Sequence, residues 1–367
     1  MSELIKHYFA CGNTAKGFQN FFASNLKVLN KVYILKGGPG TGKSSLMKKV
    51  GQYAVTKGLP VEYIHCSSDP DSLDGVIIPS ISTAIVDGTA PHVIEPTAPG
   101  AIEEYINLGT AWDVDALAEN KKQILYLQNE IGACYPKAYE CFSTALKIHD
   151  EWEHIYINNM DFEKANTLTE KVIEQLLSDN KLNKTSIVKH RFFGGSTPKG
   201  ALDYVENLTE NLNKRYFIKG RPGSGKSTML KKILASAQTR GLNVEVYHCG
   251  FDPDSLDMLI LPELSLCIFD STAPHEYFPT KPSDAIIDMY SELIKPDTDT
   301  IYATQLADIS KRYKAKVTEG INHLTYAKYL HDDLEKYYIK ATDFNKINTL
   351  ADDVLNKIAL QIDNLHL

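Results

Sequence analysis

Two stretches of the chain share one hydrophobic rhythm. An apolar, β-prone run, Val32–Leu35, leads into a glycine-rich turn, after which apolar residues recur at Leu46, Met47, Val50, Tyr53 and Ala54 until Gly58 ends the pattern. Spacings of three and four residues mark an amphipathic helix, and the glycine marks its stop. The same rhythm returns at Tyr216–Ile218, followed by Met229, Leu230, Ile233, Leu234 and Ala237, with Gly241 as the stop. A second strand is expected to end at His65–Cys66 in one stretch and His248–Cys249 in the other, and a third at Asp87 or Asp270. Strand, helix, strand and strand, all rich in buried-type residues, predict an α/β fold with a mainly parallel sheet flanked by helices. Helical periodicity then dominates about residues 112–177 and 300–365, more helix than an α/β core needs, so each half is expected to carry an appended helical subdomain.

The rhythm repeats because the chain is duplicated. A shift of 183 aligns HYFACGNTAKG (7–17) with HRFFGGSTPKG (190–200) and KGGPGTGKSS (36–45) with KGRPGSGKST (219–228). It also aligns VEYIHCSSDPDSLD (61–74) with VEVYHCGFDPDSLD (244–257), and 19 of the 32 positions from Val61 to His92 are identical in the two copies. Towards the end the shift becomes 182, where KIHDEWEHIYINNMDFEKANTL (147–168) meets YLHDDLEKYYIKATDFNKINTL (329–350). This predicts two domains, 1–183 and 184–367, joined through the polar stretch SDNKLNKTS (178–186).

Composition narrows the class. Of 367 residues, 43% are hydrophobic and 23% charged, the balance of a folded globular protein. No run approaches ~18 consecutive apolar residues, so no membrane helix is expected. The first residues lack the charged-then-apolar plan of a secretory signal, and six cysteines without one suggest free thiols in a reducing, cytoplasmic setting. A net charge of −7 argues against a broad nucleic-acid-binding surface.

The glycine turns carry the chemistry. Gly37, Gly38, Pro39, Gly40, Thr41, Gly42, Lys43, Ser44 and Ser45, and again Gly220, Arg221, Pro222, Gly223, Ser224, Gly225, Lys226, Ser227 and Thr228, contain G-x-x-x-x-G-K-S between an apolar strand and an amphipathic helix. Glycines let backbone N–H groups turn inward around phosphate oxygens, with the positive end of the helix behind them. The lysine reaches the β- and γ-phosphates and the serine hydroxyl takes a place on Mg²⁺. On these motifs the chain resembles the P-loop NTPase superfamily over the α/β core of both halves. With its paired GxTxKG, HC…DPDSLD and D[GS]TAPH stretches it also resembles a little-characterised bacterial family of tandem P-loop ATPases. The resemblance implies two tandem P-loop NTPase domains binding ATP and Mg²⁺. It implies a Walker B role for Asp87 and Asp270, which would orient the Mg²⁺ hydration shell. Many active members place a glutamate next to that aspartate to polarise water; Gly88 and Ser271 stand there instead. No N-K-x-D occurs, so ATP rather than GTP is expected.

DPDSLD falls just beyond the second strand, at the sheet edge where ligands bind in open α/β folds. Asp69 and Asp252 are therefore candidate catalytic residues beside Lys43, Lys226, Asp87 and Asp270, either orienting water or holding a phosphate acceptor. The plainer reading is an Asp-Pro turn with a local cap. His92 and His275 lie close to the expected site, and His65–Cys66 and His248–Cys249 read as strand ends. The first 183 residues contain no arginine, although arginine is the usual stabiliser of phosphoryl transfer. Lys16 and Lys199, or Arg221 in the second turn, would have to supply that charge. These features favour a slow Mg-dependent ATPase with two unequal sites. A small-molecule or nucleotide kinase and an ATP-dependent scaffold are the alternatives. Tyr135, Tyr139, Phe142, Trp152, Tyr156 and the Cys134/Cys141 pair read as helix-bundle core.

Overall fold

The structure, a computed structural model, describes residues 4–366. The first half contributes β1 (Ile5–Phe9), β2 (Cys11–Thr14), β3 (Gly17–Asn20), α1 (Phe22–Leu26), β4 (Lys31–Lys36), α2 (Lys43–Thr56), β5 (Val61–Cys66), β6 (Asp69–Ile78), β7 (Thr83–Asp87) and β8 (Glu103–Asn107). Helices α3 (Val114–Glu119), α4 (Lys121–Ile157) and α5 (Phe162–Leu177) follow. The second half repeats the order with β9 (Val188–Phe192), β10 (Gly194–Thr197), β11 (Gly200–Asp203), α6 (Val205–Thr209), β12 (Lys214–Lys219), α7 (Lys226–Thr239), β13 (Val244–His248), β14 (Leu256–Leu261), β15 (Leu266–Asp270) and β16 (Ala285–Asp288). It closes with α8 (Met289–Leu293), α9 (Thr298–Ile301), α10 (Ala303–Lys340) and α11 (Phe344–Asp363). Among the described residues no helix is long and apolar enough to cross a membrane.

The fold is α/β, and its twelve main strands form one mostly parallel, mixed sheet in the order β16-β12-β15-β14-β13-β9-β1-β5-β6-β7-β4-β8. The halves meet at its centre, where β1 and β9 touch antiparallel through Phe9 and Phe192. Within each half five strands run one way; β6 or β14 runs the other, against both of its neighbours. The expected parallel strands are present, and the hexapeptide opens the strand that departs from them in the first half and leads into it in the second. A small second sheet, β11-β10-β2-β3, also joins the halves.

Three apolar clusters pack on the main sheet. One is common to both halves, with Tyr8, Phe22 and Ile34 of the first beside Phe193, Phe217 and Tyr247 of the second. The other two are each closed by a helix from the opposite half. Ile347, Ala351, Val354, Ile358 and Ile362 of α11 lie on the first half's Leu46, Met47 and Val50, and Val172, Leu176 and Leu177 of α5 lie on the second half's Met229, Leu230 and Ile233. The helical segments therefore occupy the residues that periodicity predicts, but they are exchanged rather than appended to their own halves. Amphipathic period fixes which face of a helix is apolar and says nothing about which of two equivalent sheets receives it.

Helices α4 and α10 carry the exchange. They pack antiparallel, with Ile124, Leu127 and Cys134 against Ala327, Leu330 and Leu334, and Phe142 so close to Gly320 that a Cβ there would sit 2.4 Å from its ring. At 37 and 38 residues each helix is ~55 Å long, enough to reach from one half's sheet edge to the other's. Cys134, Cys141 and Phe142 are core, as the sequence suggests, while Tyr135 and Tyr139 tie α4 to the first half through Ser68 and Asn13.

The seam contains a buried polar cluster. Arg191 is wholly enclosed, with Nη2 2.7 Å from Glu62, Nη1 3.4 Å from Glu245, Nε 2.7 Å from Asn25 and its guanidinium 4.0 Å from the Tyr8 ring centre. Tyr8 and Tyr247 donate their hydroxyl hydrogens to Glu62 and Glu245. Beside this cluster the strand-end histidines pair rather than ligate: His7 Nδ1 lies 2.9 Å from His65 Nε2, and His65 Nδ1 3.0 Å from the Pro70 carbonyl. That carbonyl can only accept, so His65 donates from Nδ1, accepts at Nε2, and His7 donates to it. His190, His248 and the Pro253 carbonyl repeat the chain. Burial keeps all four imidazoles neutral, lowering His7 and His248 to about 4.

Candidate functional site

Each glycine turn joins a strand one place in from an edge of the main sheet, β4 or β12, to the head of a helix. Between β4 and α2, Gly40 and Gly42 hold φ of 68° and 86°, and Gly223 and Gly225 hold 74° and 87° in the second turn, a region that disfavours a side chain. Lys43, at the first position of α2, turns back: its Nζ lies 2.9 Å from the Gly37 and Gly38 carbonyls and 3.5 Å from Asp87 Oδ2. Lys226 does the same, 2.9 Å from the Arg221 carbonyl and 3.5 Å from Asp270 Oδ2. Register explains the meeting, because Leu35 of β4 stands beside Asp87 of β7, and Ile218 beside Asp270. Thr89 bonds the other oxygen of Asp87 through N–H and hydroxyl, and the Thr272 hydroxyl does so for Asp270. Thr41 and Ser224 brace the turns from within by donating to the Gly38 and Arg221 carbonyls at 2.8 Å. Pro39 and Pro222 are half-buried in the turns, and Ser45 and Thr228 face outward from the first helical turn.

Ser44 and Ser227 link this turn to the hexapeptide. Each hydroxyl oxygen accepts an N–H at 3.0 Å, from Leu73 and Leu256 respectively. Each keeps a lone pair and stands next to a lysine that touches the strand-end carboxylate. A hydroxyl and a carboxylate are the hard oxygen donors that Mg²⁺ takes, so the residues fit that ion at both turns.

The three acids of the hexapeptide separate. Asp69 and Asp252 accept from Ser72 and Ser255 at 2.8 and 2.9 Å, the local cap that the plain reading expects. Lys16 of the first half holds Asp252 at 2.9 Å and Asp254 at 2.5 Å, while Lys199 of the second half holds Asp71 at 2.6 Å. Lys328 of α10 stands 3.6 Å from Asp69. The matched lysine turns thus clamp the opposite half's acids rather than the glycine turns. The third acid is the one that lies behind the turn: Asp74 Oδ2 is 3.3 Å from His92 Nε2, both buried. Burial would push His92 down, but the charges of Asp74 and then Asp87 outweigh it and raise it to about 9. In the second half His275 instead meets Asp203 at 2.6 Å, as does the Tyr277 hydroxyl. Asp257, short of water and close to Asp270, is pushed up to about 7.

The arginines are committed elsewhere. Arg221 pairs with Asp299 at 2.7 Å and lies over Tyr290, Arg215 grips Asp284, Arg312 grips Glu151 and Asp308, and Arg240 bonds the Ser178 carbonyl. Arg221 does not bring charge to the first turn.

What the sequence reading missed is the cover of each turn. The end of α10 lies on the first: a Cβ on Gly40 would meet Ile339 at 2.8 Å and the Glu335 carbonyl at 3.3 Å, and one on Gly38 would meet the Tyr338 ring at 2.7 Å. The end of α4 lies on the second, where a Cβ on Gly223 would stand 2.5 Å from the Glu153 carbonyl oxygen. Both ends carry H-D-x-x-E, His149–Glu153 and His331–Glu335, with histidine Nδ1 3.7 Å from the glutamate in each. The signal was available, since this motif repeats within the segments that align at a shift of 182. Compared with family models, with curated proteins and with solved structures, the chain matches none of them.

Proposed function

We propose that the chain binds Mg²⁺-ATP at two sites, one at each glycine turn, and hydrolyses it slowly. The observation that carries this reading is the same in both halves. A lysine at the head of a helix, behind a turn with two left-handed glycines, stands 3.5 Å from a strand-end aspartate. Such a turn offers N–H groups and the positive helix end to an anion. On binding, Lys43 and Lys226 would exchange their carbonyl partners for β- and γ-phosphate oxygens. Ser44 with Asp87, and Ser227 with Asp270, would hold Mg²⁺, which supplies charge neutralisation on those oxygens. Slow turnover is supported by the arginine partners described above, because arginine fingers contribute ~10³–10⁵ in rate where they are present. The kinase alternative draws less support, since Lys16, Lys199, Lys328 and two serines already engage the outer acids of DPDSLD.

Titration calorimetry of ATP with Mg²⁺ is expected to show two sites. Lys43→Ala and Lys226→Ala should each remove one, and the double variant should release no phosphate. Wild-type protein that binds no adenine nucleotide at either turn overturns the reading.

A further inference from the structure

An ATPase of this design needs a group to orient the attacking water, and Gly88 and Ser271 occupy the positions after the strand-end aspartates. We propose that the carboxylates come from the opposite half: Glu335 on α10 serves the turn of Lys43, and Glu153 on α4 serves the turn of Lys226. The inference rests on the nucleotide reading above and adds the residues that complete it.

Three observations point this way. First, the approach is close and occurs in both copies. The Glu335 and Glu153 main chains lie against Gly40 and Gly223, whose missing side chains are what admit them. Second, Glu153 stands at the second turn with its carboxylate 3.7 Å from His149 Nδ1, and it feels the charges of Lys226 and Asp252. Third, its surroundings suit a proton acceptor. Burial, with Asp150 and Asp252 nearby, raises its proton affinity against the opposing pull of Lys226 and the Gly223 N–H. His149, beside it, lies within range of Lys226, Asp252 and Asp270 of the second half, and His331 within range of Asp69 of the first, so each histidine stands next to the half opposite its own. Helix packing alone would explain the glycines. It would not explain a glutamate four residues after a histidine, 3.7 Å from it, against the glycine turn in both copies.

The step is a hydrolysis. The glutamate takes one proton of a water molecule as the water oxygen bonds the γ-phosphorus. The bond from that phosphorus to the bridging oxygen breaks, ADP leaves with the electron pair, and the proton then passes to phosphate or solvent. No oxidant or further reactant is required.

The crossing makes the test specific. Lys226→Ala isolates the first site and Lys43→Ala the second. Adding Glu335→Gln to the former, or Glu153→Gln to the latter, should slow phosphate release about 100-fold. The same additions should tighten a fluorescent, non-hydrolysable ATP analogue with Mg²⁺ at least about threefold, by removing a like charge near the phosphates. If the parent proteins bind the analogue but turn over too slowly to follow, this affinity decides. The proposal is overturned if both quantities stay at parental values, or if Glu153→Gln slows the Lys226→Ala protein at least as much as Glu335→Gln does. Parent proteins that bind no analogue would sink the nucleotide reading itself, a separate outcome.

Discussion

The two halves share a strand order and a glycine turn, yet the polar residues behind the turns have diverged. In the second half Asp203 draws His275 away and leaves Asp257 without its histidine; the first half has Asn20 at the matching position, and His92 stays on Asp74. One exchange of carboxylate for amide thus gives one site a charged pair and the other a carboxyl group that gains its proton near neutrality. The seam shows the same economy, with Arg191 matching Tyr8. Two arginines there would crowd like charges, and two tyrosines would take the guanidinium from both glutamates, leaving Glu245 to Lys6 at 2.9 Å. A single break in symmetry serves both glutamates. Duplication preserved the frame, and small substitutions made the sites unequal.

The strongest way to break the comparison is at the seam. Arg191→Met removes the cation shared by two buried glutamates and should cost about 3–5 kcal/mol in urea unfolding; Tyr8→Phe, which leaves the cation, should cost far less. Equal costs would mean that the arginine does not hold the halves together.

Next comes the helix exchange. Ile358→Ala, wholly buried, should destabilise by about 2–5 kcal/mol. Hydrogen exchange should rise first in β4 and β7 of the first half, although the substitution lies in the second. Loss of protection in β12 and β15 instead would contradict the packing of α11.

A smaller effect separates the histidines. The folded-state value of His92, about 9, lies above the ordinary 6.5, so its pair stabilises fully below pH 6.5 and is lost as pH rises through 9. Asp257 acts in another window: held protonated up to about 7, it costs stability as pH rises from its ordinary 3.8 to 7. Melting temperature against pH should therefore lose its decline between 6.5 and 9 in His92→Asn, and gain at pH 8 in Asp257→Asn. A His92→Asn protein that kept this decline would mean that the Asp74 pair is not what sets the first site apart. The smallest effect belongs to Lys16→Ala and Lys199→Ala, exposed clamps whose loss should barely move the melting temperature and should vanish in high salt.

Much of this was legible in the chain itself. The apolar runs before Gly37 and Gly220, the three-and-four spacing after them and the repeat placed the strands, the helices and the lysines close to where they stand. The antiparallel course of β6 was not legible, because alternating apolar residues give a strand no direction. Nor was the crossing, since Ile358 and Leu177 read as core residues of any sheet. Within DPDSLD the sequence favoured the first acid as the neighbour of the glycine turn. The third lies there, because the strand pleat carries Asp74 inward while Asp71 points to solvent and Lys199. The H-D-x-x-E motif was visible as a repeat but lacked a partner until the helices were seen to end on the opposite turns.

The exchanged closing helices also impose an order on how the molecule can be made. Strands β4 and β7 leave the ribosome long before α11, so the first half's greasy face must wait, uncovered or chaperoned, while the second half is translated. Helix α5 has the reverse history, emerging before the strands it will cover. Neither copy can mature alone, and a nick in the linker at 178–186 would part each sheet from the lid encoded on the other fragment.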